Sequence, residues 1–509
     1  MKIHIHVFLL PVGLLVATTA HAQTVAPAPT PGTATGGTPA APARPQPAPR
    51  PFLTVGGFSF SGYLRSRYEN LNYFNAPGFN DSYGFTGSQL RLAAVRSTPK
   101  LDIQFDLQGT LLTGIPNDAV APAPQGALGV GGNYYAANGG QDGSVYVRQA
   151  FVRSKGLFGT GSSARVGRFE YNDGLEIASK NPTLTWLKTQ RIAQRLVGVF
   201  AYTHTGRAFD GGQLSLPVGK TGNFTTVVAR PTTGVFSVKS NDNVDGTGFV
   251  YGALSNSKPT ADMRFFGMAY QDVRPAPKSV KVDNRPLAAR QVDTNAIRVY
   301  TVGANYEKTL DSKSGTIDLL AWGALQGGEW GRLRQRANAF ALEAGYQPKG
   351  SKLRPWLRAG FYRASGDGNP NDRNHGTFFT PVTTPRLYAR FPFYNQMNSQ
   401  DAFAQLILRP NPKTNLRFEA HNLRLASSRD LWYQGGGAFT DGGFGFTGRP
   451  SNGNSSLGNL LDASFDYTID PQTSVGLYYG YALGGKVIDA IYPSGGNATF
   501  GFVELTRRF

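Results

Sequence analysis

The residues with chemistry to offer are arginines set two or four positions from one another or from acids, amides or a tyrosine. Arg65 and Arg67 stand with Glu69, Arg91 with Gln89, Arg358 with Tyr362, and Arg417 with Glu419 and His421. An even spacing puts each set on one face of a strand. A guanidinium holds its charge at any physiological pH and offers a rigid fork of donors to a carboxylate. A row of them along a passage selects anions, and interleaved acids keep binding shallow enough for release. The same arginines would equally brace a wall by pairing with those acids. Arg outnumbers Lys by 35 to 16 and the net charge is +19, so an anionic partner is expected. Nucleic acid is not that partner, because the arginines are dispersed over many segments.

Other chemistry is thin. The chain has no cysteine, which excludes disulfides, thiolate zinc sites, iron–sulfur clusters and cysteine nucleophiles. Of six histidines, His4, His6 and His21 lie at the N-terminus, leaving His204, His375 and His421. None of these three has a serine two residues away, as a hydrolytic pair on one strand face would need. Neither an enzyme nor a cofactor is expected. Asp367, Asn369, Asn371 and Asp372 offer oxygens that calcium could use, but a later bidentate glutamate is missing. The stretch reads as an Asn/Asp/Gly turn in an outer loop, and no metal is assigned. Trp432 and Tyr433, followed by a Gly-rich run over 435–448, would either stack sugar rings at a mouth or join an interfacial aromatic belt.

The elements that must carry these groups are strands. Leu101, Ile103, Phe105 and Leu107 alternate with Asp102, Gln104, Asp106 and Gln108. The runs 416–421, 461–469 and 475–483 alternate in the same way. Many are about nine to eleven residues long, the span of a tilted membrane strand. Short polar turns at 97–100, 256–260, 310–315, 347–353, 410–414 and 470–473 alternate with long connections at 113–144, 273–296, 365–401 and 426–458. That asymmetry is expected of a transmembrane barrel with periplasmic turns and outer loops. The expected fold is all-β: one antiparallel barrel of about eighteen strands with both termini in the periplasm. Starts are expected near 58, 86, 101, 145, 163, 195, 222, 247, 261, 296, 315, 335, 355, 402, 415, 459, 473 and 500. Within 195–255, the connection 204–221 is long for a periplasmic turn. At eighteen strands the interior is wide enough for water.

The N-terminus gives the compartment. Lys2, an apolar stretch over 7–17 and Ala20-His21-Ala22 read as a secretory signal over 1–22. Residues 23–51 are a Pro/Ala-rich leader expected to stay disordered in the periplasm, as a spacer or as a tether for export or cell-wall components. The barrel then occupies 52–509, in the outer membrane of a diderm, Gram-negative bacterium and in contact with its lipid. The last strand ends on Phe509, as outer-membrane barrels do, with Arg507 on the outward phase.

The stretch 355–429 resembles the alginate-export family. The resemblance rests on Tyr362-Arg363-Ala364-Ser365-Gly366-Asp367, Asn369, Asp372, Gly376-Thr377-Phe378 and Pro381, then Asn398 and His421 with Leu425-Ala426-Ser427. Val166-Gly167-Arg168-Phe169-Glu170, Phe209-Asp210-Gly211, Trp322 with Gln326-Gly327, and the end from Glu504 to Phe509 extend it. It implies a monomeric eighteen-stranded barrel exporting an anionic polysaccharide such as alginate through an Arg-rich pore. By position, Arg91, Arg168 and Arg207 are the pore arginines it implies. The leader, the Gly-rich loop 113–144 and the stretch 212–255 fall outside the pattern. The alternatives are a porin for small anionic solutes such as sugar acids, or a non-conducting scaffold barrel.

Overall fold

The computed structural model describes residues 51–509; the signal at 1–22 and the leader through residue 50 lie outside the described residues. From Phe58 onward the chain forms eighteen long strands. The first six are β1 Phe58–Asn72, β2 Ser82–Ser97, β3 Leu101–Thr113, β4 Gly143–Lys155, β5 Ser163–Phe169 and β6 Phe209–Val218. Next come β7 Gly222–Pro231, β8 Thr247–Lys258, β9 Ala261–Asp272, β10 Ile297–Asp311, β11 Gly315–Trp330 and β12 Leu333–Pro348. The last are β13 Trp356–Ala364, β14 Gln400–Asn411, β15 Thr414–Arg424, β16 Ser456–Thr468, β17 Thr473–Gly484 and β18 Asn497–Arg508. Each pairs antiparallel with its neighbours in sequence, and β1 closes on β18 with Tyr63 opposite Arg508 and Asn72 opposite Thr499. Closure leaves no unpaired edge, the condition for a sheet to stand in lipid.

Period-two alternation sets the two faces. Outward residues such as Leu64, Leu90, Val166, Val302 and Leu325 are exposed on the surface that faces lipid. Arg507 lies on this phase too, with Nη1 3.4 Å from Asp470 at the base of the barrel. One end carries only short connections, 98–100, 156–162, 219–221, 259–260, 312–314, 349–355, 412–413 and 469–472, together with both ends of the barrel. The other end carries the long ones.

The expectation of a simply water-filled interior is corrected by two long connections that fold inward. Residues 170–208 leave β5 at the long-loop end and descend through the barrel. At the bottom, Asn181 Nδ2 donates to Pro259 O (3.1 Å) in a short turn, and Gln347 Nε2 donates to Thr183 Oγ1 (3.0 Å). There the chain turns through a short helix, Pro182–Leu187, capped by the Asn181 side chain, and a π-helical turn, Lys188–Ile192. It then rises beside the second infolded connection, 365–399, to which Val197 is bridged at Val382. Small inward residues make the room: Ala324 on β11 and Ala337, Ala339 and Ala341 on β12 are buried. Trp186 packs 4.6 Å from Trp356, and Arg195 lies 4.6 Å over Trp322. A bore this wide would otherwise be open water, and burying large apolar side chains there contributes about 1.5–3 kcal/mol each.

The expected strand at 195 is therefore corrected. Leu196, Val197, Val199 and Phe200 are an apolar run buried inside the lumen, and the strand itself is Phe209–Val218. The connection after it is the short turn 219–221, which removes the misfit at 204–221. The Gly-rich loop 113–144 contains a helix, Gly129–Asn138, packed under the long loops.

Candidate functional site

Alternation carries Arg65, Arg67, Glu69, Arg91, Arg358, Arg417, Glu419 and His421 into the barrel, on the phase read from the sequence. Most of these guanidinium groups are already occupied. Arg65 donates to Ala201 O (3.0 Å) and Thr203 O (2.8 Å). Arg67 sits between Glu69 (2.6 Å) and Glu504 (3.4 Å), donates to Tyr202 O and lies 4.5 Å over the Tyr202 ring. Arg91 bridges Asp106 (2.7 Å) and Glu170 (3.0 Å). Arg358 is shared by Asp318 and Glu343, with all three side chains fully buried. A guanidinium buried without partners would cost several kcal/mol, so the infolded segment that removes water must also supply acceptors. Glu170 and the carbonyls of 201–203 are those acceptors. As permeant contacts, Arg65, Arg67, Arg91 and Arg358 are corrected: they brace the wall.

Arg417 differs. It pairs with Glu419 at 2.8 Å yet keeps 12% of its side chain exposed. His421 Nδ1 lies 3.0 Å from Asp401. Glu419, His421 and Asp462 bring potential ligand atoms within 4.8 Å of one another. Glu419 is also held by Arg191 at 3.3 Å, so the trio is a charge-paired cluster first.

Three further expectations are corrected. Arg168 does not face the lumen. Val166 is outward and Arg165 inward, so Arg168 falls on the outward phase, where it pairs with Asp210 (2.7 Å) and donates to Asn241 O at the long-loop rim. Arg207 is inside but fully buried, on no strand. It donates to Ala438 O (3.1 Å), Thr383 O (3.0 Å) and Gly436 O, fastening two loops to the infolded segment. Trp432 and Tyr433 neither line a mouth nor join a lipid belt. Trp432 Nε1 donates to Phe393 O, and the Tyr433 hydroxyl donates to Asp430 (2.7 Å) inside the aromatic packing beneath the long loops.

The 367–372 stretch folds as a series of turns in which side-chain oxygens accept backbone N–H groups two residues on. Asn369 N donates to Asp367 Oδ1 (3.0 Å), Asn371 N to Asn369 Oδ1 (3.1 Å) and Asn374 N to Asp372 Oδ1 (2.7 Å). Local capping thus employs the oxygens of Asp367, Asn369 and Asp372, while Asn371 contributes only its backbone N–H. Of the histidines in infolded segments, His204 sits 3.5 Å from Glu69, and burial beside Arg67 lowers its imidazole to about 3. His375 is stacked 4.1 Å from Trp330 with Nδ1 2.6 Å from Gln335, and burial lowers it to about 3 as well.

A second set of cations keeps contact with solvent, and sequence reasoning missed it. Arg153, Lys155 and Arg165 on β4 and β5, and Arg409 beside Arg417 on β14 and β15, point inward in the short-turn half and are partly exposed. Arg153 and Lys155 share Asp102. Among the described residues Arg165, Arg386, Arg390 and Arg409 form no ion pair within 4.0 Å. Arg165 donates to Gln213 Oε1 (2.8 Å) and Glu170 O (3.0 Å) and lies 4.2 Å over Phe169. Arg386 lies 4.0 Å over Tyr202, Arg390 5.7 Å over Tyr478 and Arg409 5.4 Å over Trp356. Aromatic faces stabilise these cations without neutralising them, so the wet sector stays positive. Phase counting from Val166 would have found Arg165. Arg386 and Arg390 lie in an infolded segment, where alternation carries no signal.

A protein-family model described as alginate export matches residues 141–502, most of the chain. No curated protein matches the sequence. Among solved structures, OccAB4 and OccAB1 of Acinetobacter baumannii each align with a TM-score of 0.53 at 10% identity. They cover 88% and 91% of this chain and 98% and 99% of their own. Pseudomonas aeruginosa OpdK, solved with vanillate, aligns with a TM-score of 0.51 at 9% identity over 88% of this chain and 98% of its own. At these identities the likeness is one of fold.

Proposed function

This chain belongs to the alginate-export family and is an outer-membrane channel of a Gram-negative bacterium, and on that premise we propose that it passes an anionic polysaccharide, alginate or a close relative, passively from periplasm to exterior. The observation that carries the reading is the set Arg165, Arg386, Arg390 and Arg409, which have no acid within 4.0 Å among the described residues, in a lumen where Arg65, Arg67, Arg91, Arg358 and Arg417 are paired. In this reading the short-turn end faces the periplasm. An entering uronate first meets Arg153, Lys155, Arg165 and Arg417, which offset its lost hydration. Coulomb attraction is stronger in a narrow, partly dry passage than in bulk water. Asp102 and Glu419 compete for the same cations and keep each contact brief, so the polymer advances by exchanging one carboxylate–Arg pair for the next. Direction is set by polymer synthesis or periplasmic machinery, and the chain acts as a monomer without catalysis or cofactor.

A second reading, a porin for small anionic solutes, is favoured by the two infolded segments that narrow the lumen. OpdK, with the same fold, has been solved with vanillate, itself a small carboxylate. Planar-bilayer recording separates the two. The export reading expects anion-selective current blocked by oligouronates, with block strengthening as the oligomer lengthens. Block by the monomer as strong as by long oligomers supports the small-solute reading. Cation selectivity or absence of conductance refutes both.

A further inference from the structure

The outer face of the barrel carries a feature that transport does not use. On β10–β12, near the long-loop end, the lipid-facing rows are fixed by register. Val302, Leu325 and Asn338 are neighbours in one row, and the first two are among the most exposed apolar side chains of the wall. One row nearer the long-loop end stand Tyr300, Gly327 and Arg336, and one further Arg298, Glu329 and Arg334. The apolar belt therefore ends where arginines begin.

These arginines are poorly served by the protein. Arg298 holds Glu329 at 2.9 Å, which occupies the carboxylate of its row. The guanidinium groups of Arg334 and Arg336 are exposed, and among the described residues they make no hydrogen bond or ion pair. The guanidinium of Arg332, also exposed, donates only to Val292 O (3.3 Å). Arg373 is exposed on the adjoining backbone, where its carbonyl accepts from Arg334 N (2.8 Å). The face is also uncovered. The β11–β12 connection is just Gly331 and Arg332, the shortest at that end, and a side chain at Gly331 would run into Asp293. Beside Arg336, Gly327 leaves an open shelf, since a Cβ there would meet nothing within 4 Å.

Unpaired guanidinium forks at the boundary between lipid-facing and polar surface are suited to anions held at that depth, and phosphate is the anion their geometry fits best. We propose that Arg332, Arg334 and Arg336, with Arg373, form a docking site for the phosphates of an anionic membrane lipid in the leaflet at the long-loop end. The Gly327 shelf admits the headgroup beside Arg336, and Tyr300 flanks it. Successive outward residues of β12 are about 7 Å apart, so two phosphates of one headgroup can engage neighbouring arginines. The site is independent of what the lumen carries.

The test uses the full chain in neutral detergent and bisphosphorylated lipid A as probe, with dephosphorylated lipid A and inorganic phosphate as comparison arms. Wild type should bind bisphosphorylated lipid A at least tenfold more tightly than the dephosphorylated form. The R334Q/R336Q double variant should lose about 25-fold, or about fivefold per arginine near an anionic surface. Its single-channel conductance should match wild type, which confirms that the barrel is intact. R298Q should lose less than threefold, because Arg298 is engaged with Glu329. Equal binding of the two lipids overturns the proposal, as does unchanged affinity in R334Q/R336Q. Full displacement by millimolar inorganic phosphate, with no preference for the lipid, overturns the lipid as the source.

Discussion

Reversing the charge of Arg165 should invert the channel's preference. Arg165 is inward, partly exposed and without a carboxylate partner. A permeant charge passing about 7 Å away, in a wet but confined medium of effective dielectric about 40, feels ~1.2 kcal/mol from one guanidinium. Screening over a Debye length of about 8 Å reduces this to ~0.5 kcal/mol at physiological salt. Arg165→Glu changes the local charge by two, which disfavours anions by ~1 kcal/mol and favours cations by as much. The anion-to-cation permeability ratio should therefore fall about 30-fold, and Arg165→Gln should lower it about fivefold. Reversal potentials across a bilayer under a salt gradient read this directly. The variant should fold, because residue 165 lies opposite Arg153 across the β4–β5 pair and a glutamate there replaces a like-charge pair with an attractive one. Arg168→Glu is the control. Three positions further along the chain but on the outward phase, it should leave the ratio unchanged. Unaltered reversal potentials in both Arg165 variants, or an effect of equal size from Arg168→Glu, would refute the reasoning.

Two other outcomes follow from the long-loop end. Arg207→Met leaves the carbonyls of Thr383, Gly436 and Ala438 without their donor, at about 3 kcal/mol, so protease nicking within 436–443 should accelerate while the barrel stays intact; unchanged cleavage would count against that role. Burial raises the Asp430 carboxyl to about 6, despite donors from Thr377, Tyr433 and two backbone amides. A carboxyl whose folded value lies above its unfolded one contributes stability that is present at low pH and lost as pH rises through about 6. Amide protection in 365–372 and 430–433 should thus be greater at pH 5 than at pH 7.5, by about 1 kcal/mol, and the difference should vanish in Asp430→Asn. Greater protection at pH 7.5 would reverse the sign and reject the account.

The barrel was legible because lipid on one side and polar surface on the other force period two on every strand. Expected starts at 58, 101, 163, 222, 247, 261, 315 and 473 match the structure, and most others differ by one to four residues. The strand expected at 195 failed for a physical reason. Leu196, Val197, Val199 and Phe200 are apolar like a wall strand, but they are buried inside the lumen, and a short apolar run does not distinguish the two. Arg168 failed differently: family position placed it in the pore, whereas its phase relative to Val166 places it outside. Pairing of Arg67 with Glu69 was open to the sequence, but the further acceptors that complete the sites of Arg67 and Arg91 were beyond reach, because they come from a strand and an infolded segment far away in sequence. Glu504 lies 437 residues from Arg67, and Glu170 lies 79 from Arg91.

What a permeant senses is the charge left over after the wall has satisfied itself. Arg358, flanked by Asp318 and Glu343, adds little attraction to a passing uronate, since it is fully buried and its charge is met by those carboxylates. Arg165 and Arg386 add a full charge each, because aromatic rings and neutral acceptors hold them without cancelling it. Counting inward arginines therefore overstates selectivity, and the number that matters is set by which of them lack an acid. The infolded segments determine that number twice over. Residue 170 supplies an acid to Arg91 and Arg148, and 386 and 390 bring cations of their own. A barrel with these strands but different inward connections would keep its fold and its lipid face while changing what it lets through.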